Sequence, residues 1–216
     1  MTAVKPRRRY ESPQRAERAQ RTRAGVLSSA GRLLLRDGYA ATTIAAVAAD
    51  AGVSVETIYK AFGGKAGLVR AICEDALTGE GPVPAEERSD ALHRDAAGPA
   101  AVVQGWAALT VEVAPRVAPI LLLLRAAATV DAELATLLRE IDDRRLVRMT
   151  GNAGRLAAGG HLRPGLDVAK AGELLWTYSS PELYELLVVK LGWSPTAYGA
   201  FVGEALLAAL LPGRGR

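Results

Sequence analysis

The sequence predicts an all-α protein, with a small N-terminal domain of three helices and a larger C-terminal helical bundle. From about Gln20 onward, apolar residues recur at spacings of three and four, as they do along one face of a helix. No stretch of useful length alternates between apolar and polar residues, as a half-buried strand would. Half of the 216 residues are hydrophobic, so the chain can bury a sizeable core.

The chain begins with residues that are charged and poor in apolar side chains. We therefore expect residues 1–19 to form a flexible basic arm. The first helix follows from about Gln20, because its apolar residues form a single stripe. It is expected to end at Asp37-Gly38, since glycine suits the end of a helix.

Two short helices joined by a glycine turn come next. Thr43 can cap the first of them and Ser54 the second, because these side chains accept hydrogen bonds from the amides of a first helical turn. Gly52 lies between them and suits a turn with positive φ. A fourth helix is expected to begin at Lys65, so the first domain is predicted over residues 20–66.

Residues 67–216 are predicted to form the larger helical domain. Gly and Pro are frequent over residues 79–98, which predicts a loop with at most a short helical turn. Residues 120–124 are apolar on every side of a helix, so we expect a central buried helix there. The predicted helices of this domain cover residues 65–77, 100–113, 116–129, 131–158, 167–178, 181–191 and 195–211.

Charge is distributed unevenly along the chain. Residues 1–72 hold 13 Lys and Arg against 5 Asp and Glu, whereas residues 73–216 hold 14 against 18. A basic first third joined to a mildly acidic remainder indicates that the first part meets a polyanion and the second does not.

Several classes of protein and site are not expected. Cys73 is the only cysteine, so the chain can form neither an internal disulfide nor a Cys-based zinc site. His93 and His161 lie in different loop-like regions, with no adjacent cysteine or paired carboxylate at metal-ligand spacing. The longest uncharged stretch, residues 96–111, is too short and interrupted to span a membrane. We expect a cytoplasmic protein without metal or cofactor. We also expect that it is not an enzyme, because no catalytic signature is present.

The third predicted helix has the length and side chains of a helix that lies in the major groove of DNA. It has about nine residues, or ~13 Å at the rise of an α-helix. Ile58 and Phe62 would hold one of its faces to the core. The Tyr59 hydroxyl suits a phosphate oxygen, as does the Lys65 ammonium at a helix N-terminus. The candidates for base contacts are Val55, Glu56, Thr57 and Lys60.

Residues 38–68 carry a longer pattern that contains these positions. With x for any residue, it is GY-x-x-TTI-x-x-VA-x-x-AGVS-x-x-TIY-x-x-F-x-x-K-x-x-L. This pattern resembles the helix-turn-helix DNA-binding signature of TetR-family transcriptional regulators. It departs from the family at Glu56, where a small residue is usual, so Glu56 is expected either to contact a cytosine or to face away from DNA.

The resemblance implies a homodimer that binds a palindromic operator in double-stranded DNA and releases it when a small molecule binds the C-terminal domain. Repression is the common mode of the family. The resemblance places Thr42, Thr43, Tyr59 and Lys65 at phosphates. With the helix cap Ser54, the candidate DNA-binding residues are Thr42, Thr43, Ser54, Val55, Glu56, Thr57, Tyr59, Lys60 and Lys65.

The second domain offers weaker signals for a ligand and for a partner. Arg125 has the charge to pair with an anionic ligand, although ordinary core packing is the better explanation for each of these side chains taken alone. The last two helices, over 181–191 and 195–211, have apolar faces that a monomer would expose, which favours a homodimer through them. The candidate ligand-binding residues are Trp106, Arg125, Met149, Trp176 and Tyr178.

Two other functions fit parts of the sequence. An architectural DNA-binding protein without an effector would show little sequence preference and a steep dependence on salt. A helical ligand-binding protein would use the N-terminal helices only as structure. Alanine at Tyr59 and Lys65 would then either lower stability or change nothing.

Overall fold

A computed structural model describes residues 13–79 and 83–213, and every regular element in those residues is helical. The prediction of an all-α fold is thereby confirmed. The elements are α1 (Pro13–Ala41), α2 (Ile44–Ala51), α3 (Val55–Phe62), α4 (Lys65–Thr78), α5 (Ala85–Asp95), α6 (Pro99–Ala128), α7 (Ala132–Ala158), α8 (Val168–Tyr178), α9 (Pro181–Tyr184), a π-helical segment (Glu185–Lys190) and α10 (Pro195–Leu210).

The first helix begins earlier than the sequence pattern predicts. It starts at Pro13, so residues 13–19 of the expected flexible arm are helical, while residues 1–12 lie outside the described part of the chain. Proline suits a first helical turn, because its missing amide would have no partner within the helix. At the other end the backbone leaves helical geometry at Gly38, with φ +82°, where the sequence predicts the end of the helix.

The segment 79–98, predicted as a loop, contains the helix α5. Helix α5 is mostly polar, so it lacks the apolar stripe from which a helix is predicted. Its charges nevertheless suit a helix dipole. Glu86 and Glu87 lie in the first turn, and His93 and Arg94 lie in the last.

The two helices predicted over residues 100–113 and 116–129 form the single helix α6, with Pro115 and Pro119 inside it. Each proline removes one backbone hydrogen bond and would break an isolated helix. The packing of α6 against α1, α4, α5, α7, α9 and α10 offsets that loss. Its length and composition would suffice for a membrane span, but these contacts are those of a core helix.

The buried residues form two hydrophobic cores. The first joins α1–α4 to the end of α6 and the start of α7, and the second joins the start of α6 to the end of α7, α8 and α10. Gly199 and Gly203 let α10 approach α6 closely, since a Cβ at Gly203 would lie 3.1 Å from the Ala107 Cβ. The first core crosses the predicted domain boundary at residue 66, so the N-terminal helices rest directly on the C-terminal bundle.

Gly67, in the first turn of α4, leads to a stability prediction. Alanine normally stabilises a helix relative to glycine by roughly 1 kcal/mol. A Cβ at Gly67, however, would fall on the Phe62 carbonyl oxygen at the end of α3. We expect Gly67→Ala to lower the free energy of unfolding by about 1–3 kcal/mol, the usual cost of overpacking. Denaturant titration measures the change.

The matched control for this prediction is Gly25→Ala, because Gly25 lies within α1 and a Cβ there meets nothing within 4 Å. Gly25→Ala is expected to raise stability slightly. Equal stabilisation by both substitutions would contradict the close approach of α4 to α3.

Candidate nucleic-acid interface and ligand cavity

Helices α2 and α3 form a helix-turn-helix unit whose ends are fixed by the residues that the sequence singles out. The Thr43 side chain accepts a hydrogen bond from the Ala46 amide at 3.1 Å, and the Ser54 side chain accepts one from the Thr57 amide at 3.1 Å. In the turn, Gly52 adopts φ +66°, and its amide donates to carbonyls at the end of α2. The predicted caps and turn are therefore present.

Helix α3 presents one face to the core and the other to solvent. Ile58 is fully buried and Phe62 packs against the same core. The opposite face exposes Tyr59 by 52% and Val55 by 41%, and Glu56, Thr57 and Lys60 are exposed with them. This face offers hydroxyl, ammonium, carboxylate and methyl groups to a partner.

Thr43 and Ser54 are exposed as well as capping. A hydroxyl that accepts from a backbone amide keeps its own proton for a second acceptor. The Thr43 hydroxyl can therefore donate to a phosphate oxygen. The Ser54 and Thr57 hydroxyls lie 2.8 Å apart, so one donates to the other and one proton remains for DNA.

Two candidate phosphate contacts are engaged within the protein. Thr42 is buried, and its hydroxyl donates to the Gly38 carbonyl at 2.8 Å, where it supports the end of α1. Lys65 donates to the Tyr39 carbonyl and lies 3.9 Å above the centroid of the Tyr39 ring. Burial lowers the pKa of Lys65. Both residues thus have structural roles at the base of the unit.

The helical start of α1 carries basic residues that are absent from the list of candidate DNA-binding residues. Arg15, Arg18, Arg21 and Arg23 are exposed, and the Arg23 guanidinium lies 4.7 Å from the centroid of the Phe62 ring at the end of α3. The sequence does contain a signal for the early start of α1. Proline at position 13 follows a serine, as Pro181 and Pro195 do where they open helices.

The C-terminal domain contains a cavity of about 480 Å³ between α4, α5, α6, α7, α8 and α10. This volume lies in the usual range for small-molecule sites. Much of its wall is apolar, with a polar side on α7 that carries Arg144, Arg145 and Arg148. Helix α4 contributes Cys73, Glu74, Leu77 and Thr78, so the helix that follows the helix-turn-helix unit also lines the cavity.

Two of the five candidate ligand-binding residues line this cavity, Trp106 and Met149. The other three lie outside its wall. Arg125 is paired with Asp142 at 3.1 Å and with Glu182, so its charge is already matched. Trp176 stacks on Arg145 at 4.4 Å, and Tyr178 packs edge-on against Phe201 at 6.4 Å.

Arg145 lines the cavity, although it is not among the candidates predicted from the sequence. Arg125 follows four leucines and Arg145 follows Asp142, Asp143 and Arg144, and neither neighbourhood tells which arginine is paired in the fold. Only the packing of α7 against α8 places the Arg145 side chain in the cavity wall.

Cys73 behaves as a buried apolar residue, and burial raises the pKa of its thiol from an ordinary value of 9.0 to about 12. The thiolate is the reactive form. The raised pKa favours the neutral thiol up to alkaline pH. The shift lowers the free energy of unfolding only as pH rises above 9.0, the ordinary pKa of the thiol.

We expect iodoacetamide to modify Cys73 in the folded protein on the order of 100-fold more slowly than in guanidinium. Intact mass against time measures both rates, and equal rates would contradict this burial.

Comparisons with known proteins bear on both parts of the chain. Residues 26–72 match the family model TetR_N, described as bacterial regulatory proteins of the tetR family. No curated protein sequence matches the chain significantly. Similar solved structures include the fatty acid degradation regulator FadR from Bacillus halodurans, with 17% identity, 96% of this chain and 100% of that chain covered, and a TM-score of 0.71.

Two other similar structures contain a small molecule. The SmeT–triclosan complex is 21% identical, covers 90% of this chain and 93% of its own, and has a TM-score of 0.70; SmeT is the repressor of the Stenotrophomonas maltophilia multidrug efflux pump SmeDEF. FadR from Bacillus subtilis in complex with stearoyl-CoA is 20% identical and has a TM-score of 0.69. The match covers 86% of this chain and 97% of that chain. At these identities the likeness shows the fold.

Proposed function

We propose that this chain is a cytoplasmic repressor that a small molecule releases from a palindromic operator. It is a DNA-binding transcriptional regulator whose N-terminal segment matches the tetR family. The observation that carries the proposal is the position of α4. This helix starts three residues after α3 ends, and its other end lines the cavity. A ligand in the cavity therefore contacts the helix that supports the DNA-binding face.

The DNA-binding face of the proposal is the exposed side of α3 with the caps beside it. Val55, Glu56, Thr57 and Lys60 would contact base edges in the major groove, and Tyr59 would contact a phosphate. Thr43 and Ser54 would add hydroxyl contacts. Thr42 and Lys65 would act mainly by holding the unit together, as their internal hydrogen bonds indicate.

The operator would be bound by a homodimer, which sets two copies of α3 about 34–36 Å apart on one face of DNA. Leu206 and Leu210 on the last helix would not contribute to the contact between protomers, because both side chains are buried within the protomer. The dimer surface that we propose lies on the π-helical segment and the turn after it. Its exposed apolar residues are Leu186, Val189, Leu191 and Trp193.

Release would follow from a shift of α4 relative to α7. The Arg70–Glu140 and Arg144–Glu74 ion pairs join these two helices at 2.5 and 3.5 Å. A ligand between α4 and α7 changes their separation, and through α4 it changes the separation of the two copies of α3. A coupling of about 1–3 kcal/mol between the sites would weaken operator binding by about 5–150-fold. The triclosan and stearoyl-CoA complexes of the similar structures support a small-molecule effector.

The experiment that tests the proposed function is selection of bound fragments from sheared genomic DNA at near-physiological salt, followed by sequencing. A shared palindrome is the expected result. Binding without a shared sequence would favour an architectural DNA-binding protein. A folded dimer that binds no fragment, with or without added small molecules, would overturn the proposal.

A further inference from the structure

Two residues of the cavity wall carry buried hydrogen-bond donors that lack a partner. Among the described residues that line it, the buried polar side-chain atoms without a hydrogen bond are Arg145 Nε, Arg145 Nη2 and Trp106 Nε1. All three are N–H groups, which can only donate. A buried donor without an acceptor is costly, so a ligand that supplies acceptors is favoured here.

Arg145 is held in place by its other contacts. Its Nη1 donates to the Trp176 carbonyl at 2.6 Å and to the Ser179 hydroxyl at 3.1 Å. Its guanidinium stacks on the Trp176 ring, and its side chain is only 14% exposed. The orientation of the two unpartnered N–H groups is thus fixed before any ligand arrives.

The charge of Arg145 is only partly matched. Asp142 is the acidic group nearest to it, at 3.6 Å, which is longer than a hydrogen bond. Asp142 lies closer to Arg125, at 3.1 Å. Arg148, one turn further along α7, is engaged by Asp90 and by the Glu86 carbonyl. Arg145 therefore shares the charge of Asp142 with Arg125, and it is the cavity arginine with two buried N–H groups that lack a hydrogen-bond acceptor.

The rest of the wall suits an apolar body. Leu77 on α4, Val113, Val117 and Leu121 on α6, and Leu175 on α8 line the same cavity. Apolar contacts supply most of the affinity at such sites, and a few placed polar groups fix the orientation.

We propose that the effector is an amphipathic anion whose carboxylate accepts from Arg145 and whose apolar body lies against α4 and α6. This inference rests on the proposed function, since it names the chemical class of the molecule that occupies the cavity. A planar carboxylate accepts two N–H groups of one guanidinium edge, and Arg145 Nε and Nη2 form such an edge.

The test compares three probes of equal chain length on the full-length protein at neutral pH: dodecanoate, dodecanol and dodecylamine. Isothermal titration or tryptophan fluorescence gives their dissociation constants. We expect dodecanoate to bind about tenfold or more tightly than dodecanol, as hydrogen bonds to a charged group allow, and dodecylamine to bind most weakly. This comparison needs no variant and does not depend on how a substitution folds.

The Arg145→Met variant is expected to bind dodecanoate and dodecanol with similar affinity, while its affinity for dodecanol changes little. Arg145→Lys keeps the charge and is expected to keep part of the preference. Arg139→Met is the matched control, because Arg139 lies on the exposed face of α7 and outside the cavity wall.

The outcomes separate this inference from the proposed function. Equal binding of dodecanoate and dodecanol by the wild type overturns the anionic ligand but leaves a ligand-responsive repressor. Tighter binding of dodecylamine overturns it in favour of Glu74 and Glu86, which also line the cavity. No binding of any probe overturns it too, and selection of operator DNA by the same preparation then shows that the DNA-binding function stands.

Discussion

Replacing Tyr59 and Lys60 together by alanine is expected to weaken binding to the selected operator by about 100-fold or more. Each contact with a phosphate or base edge contributes roughly 1–3 kcal/mol, and the two side chains stand on the exposed face of α3. Stability should change little, because exposed substitutions usually stay within about 0.5 kcal/mol. Fluorescence anisotropy with a labelled operator measures affinity, and thermal unfolding measures stability.

The matched control for this double substitution is Lys170→Ala. Lys170 is an exposed lysine on α8, in the C-terminal domain, and pairs with Glu173 at 2.7 Å. The Lys170→Ala substitution removes one positive charge, as the double substitution does, but leaves α3 unchanged. The operator affinity of this variant should therefore stay near that of the wild type. An equal loss of affinity in both variants would mean that net charge, rather than α3, governs binding. A large fall in melting temperature for the double variant would mean that Tyr59 and Lys60 support the fold.

The N-terminal unit was predictable because its determinants are local. Thr43, Gly52 and Ser54 each act on amides within three or four residues, and the structure has all three in the predicted roles. The alternation of Ile58 toward the core with Tyr59 and Lys60 toward solvent likewise follows from helical period alone.

The remaining features depend on contacts between residues far apart in sequence. Pro115 and Pro119 indicate helix ends, and only the surroundings of α6 make one continuous helix of that segment. Arg125 and Arg145 differ in their ion pairs, because Asp142 and Glu182 approach Arg125 more closely, across separations that sequence spacing does not determine. The start of α1 at Pro13 is visible in the sequence, because a Ser-Pro pair also opens the helices that begin at Pro181 and Pro195.

The cavity and the DNA-binding face share a core, which bears on how one site can act on the other. The first core includes α2 and α3 residues together with the end of α6 and the start of α7. A movement of α4 away from α7 must therefore repack side chains beneath α3 or tilt the whole N-terminal unit. Close-packed interiors resist partial repacking, so a tilt of the unit as one body is the favoured response.

Filling the cavity is expected to separate ligand response from DNA binding. Ala114 lies on α6 in the cavity wall, and a phenylalanine ring there would occupy space that a ligand needs. With saturating dodecanoate, the wild type should lose operator affinity by about 5–150-fold, whereas Ala114→Phe should keep its affinity nearly unchanged. Without dodecanoate, both proteins should bind the operator equally. Anisotropy titrations with and without dodecanoate measure all four affinities.

Ala108→Phe adds the same ring to the same helix on its exposed side and should respond to dodecanoate as the wild type does. The comparison distinguishes occupation of the cavity from a general effect of phenylalanine in α6. Release of Ala114→Phe by dodecanoate, at unchanged stability, would mean that the ligand acts from outside the cavity and that α4 does not carry its effect. Weak operator binding by Ala114→Phe in the absence of dodecanoate would carry a different meaning. The ring itself would then act as the ligand does, because it pushes α4 from within the same space.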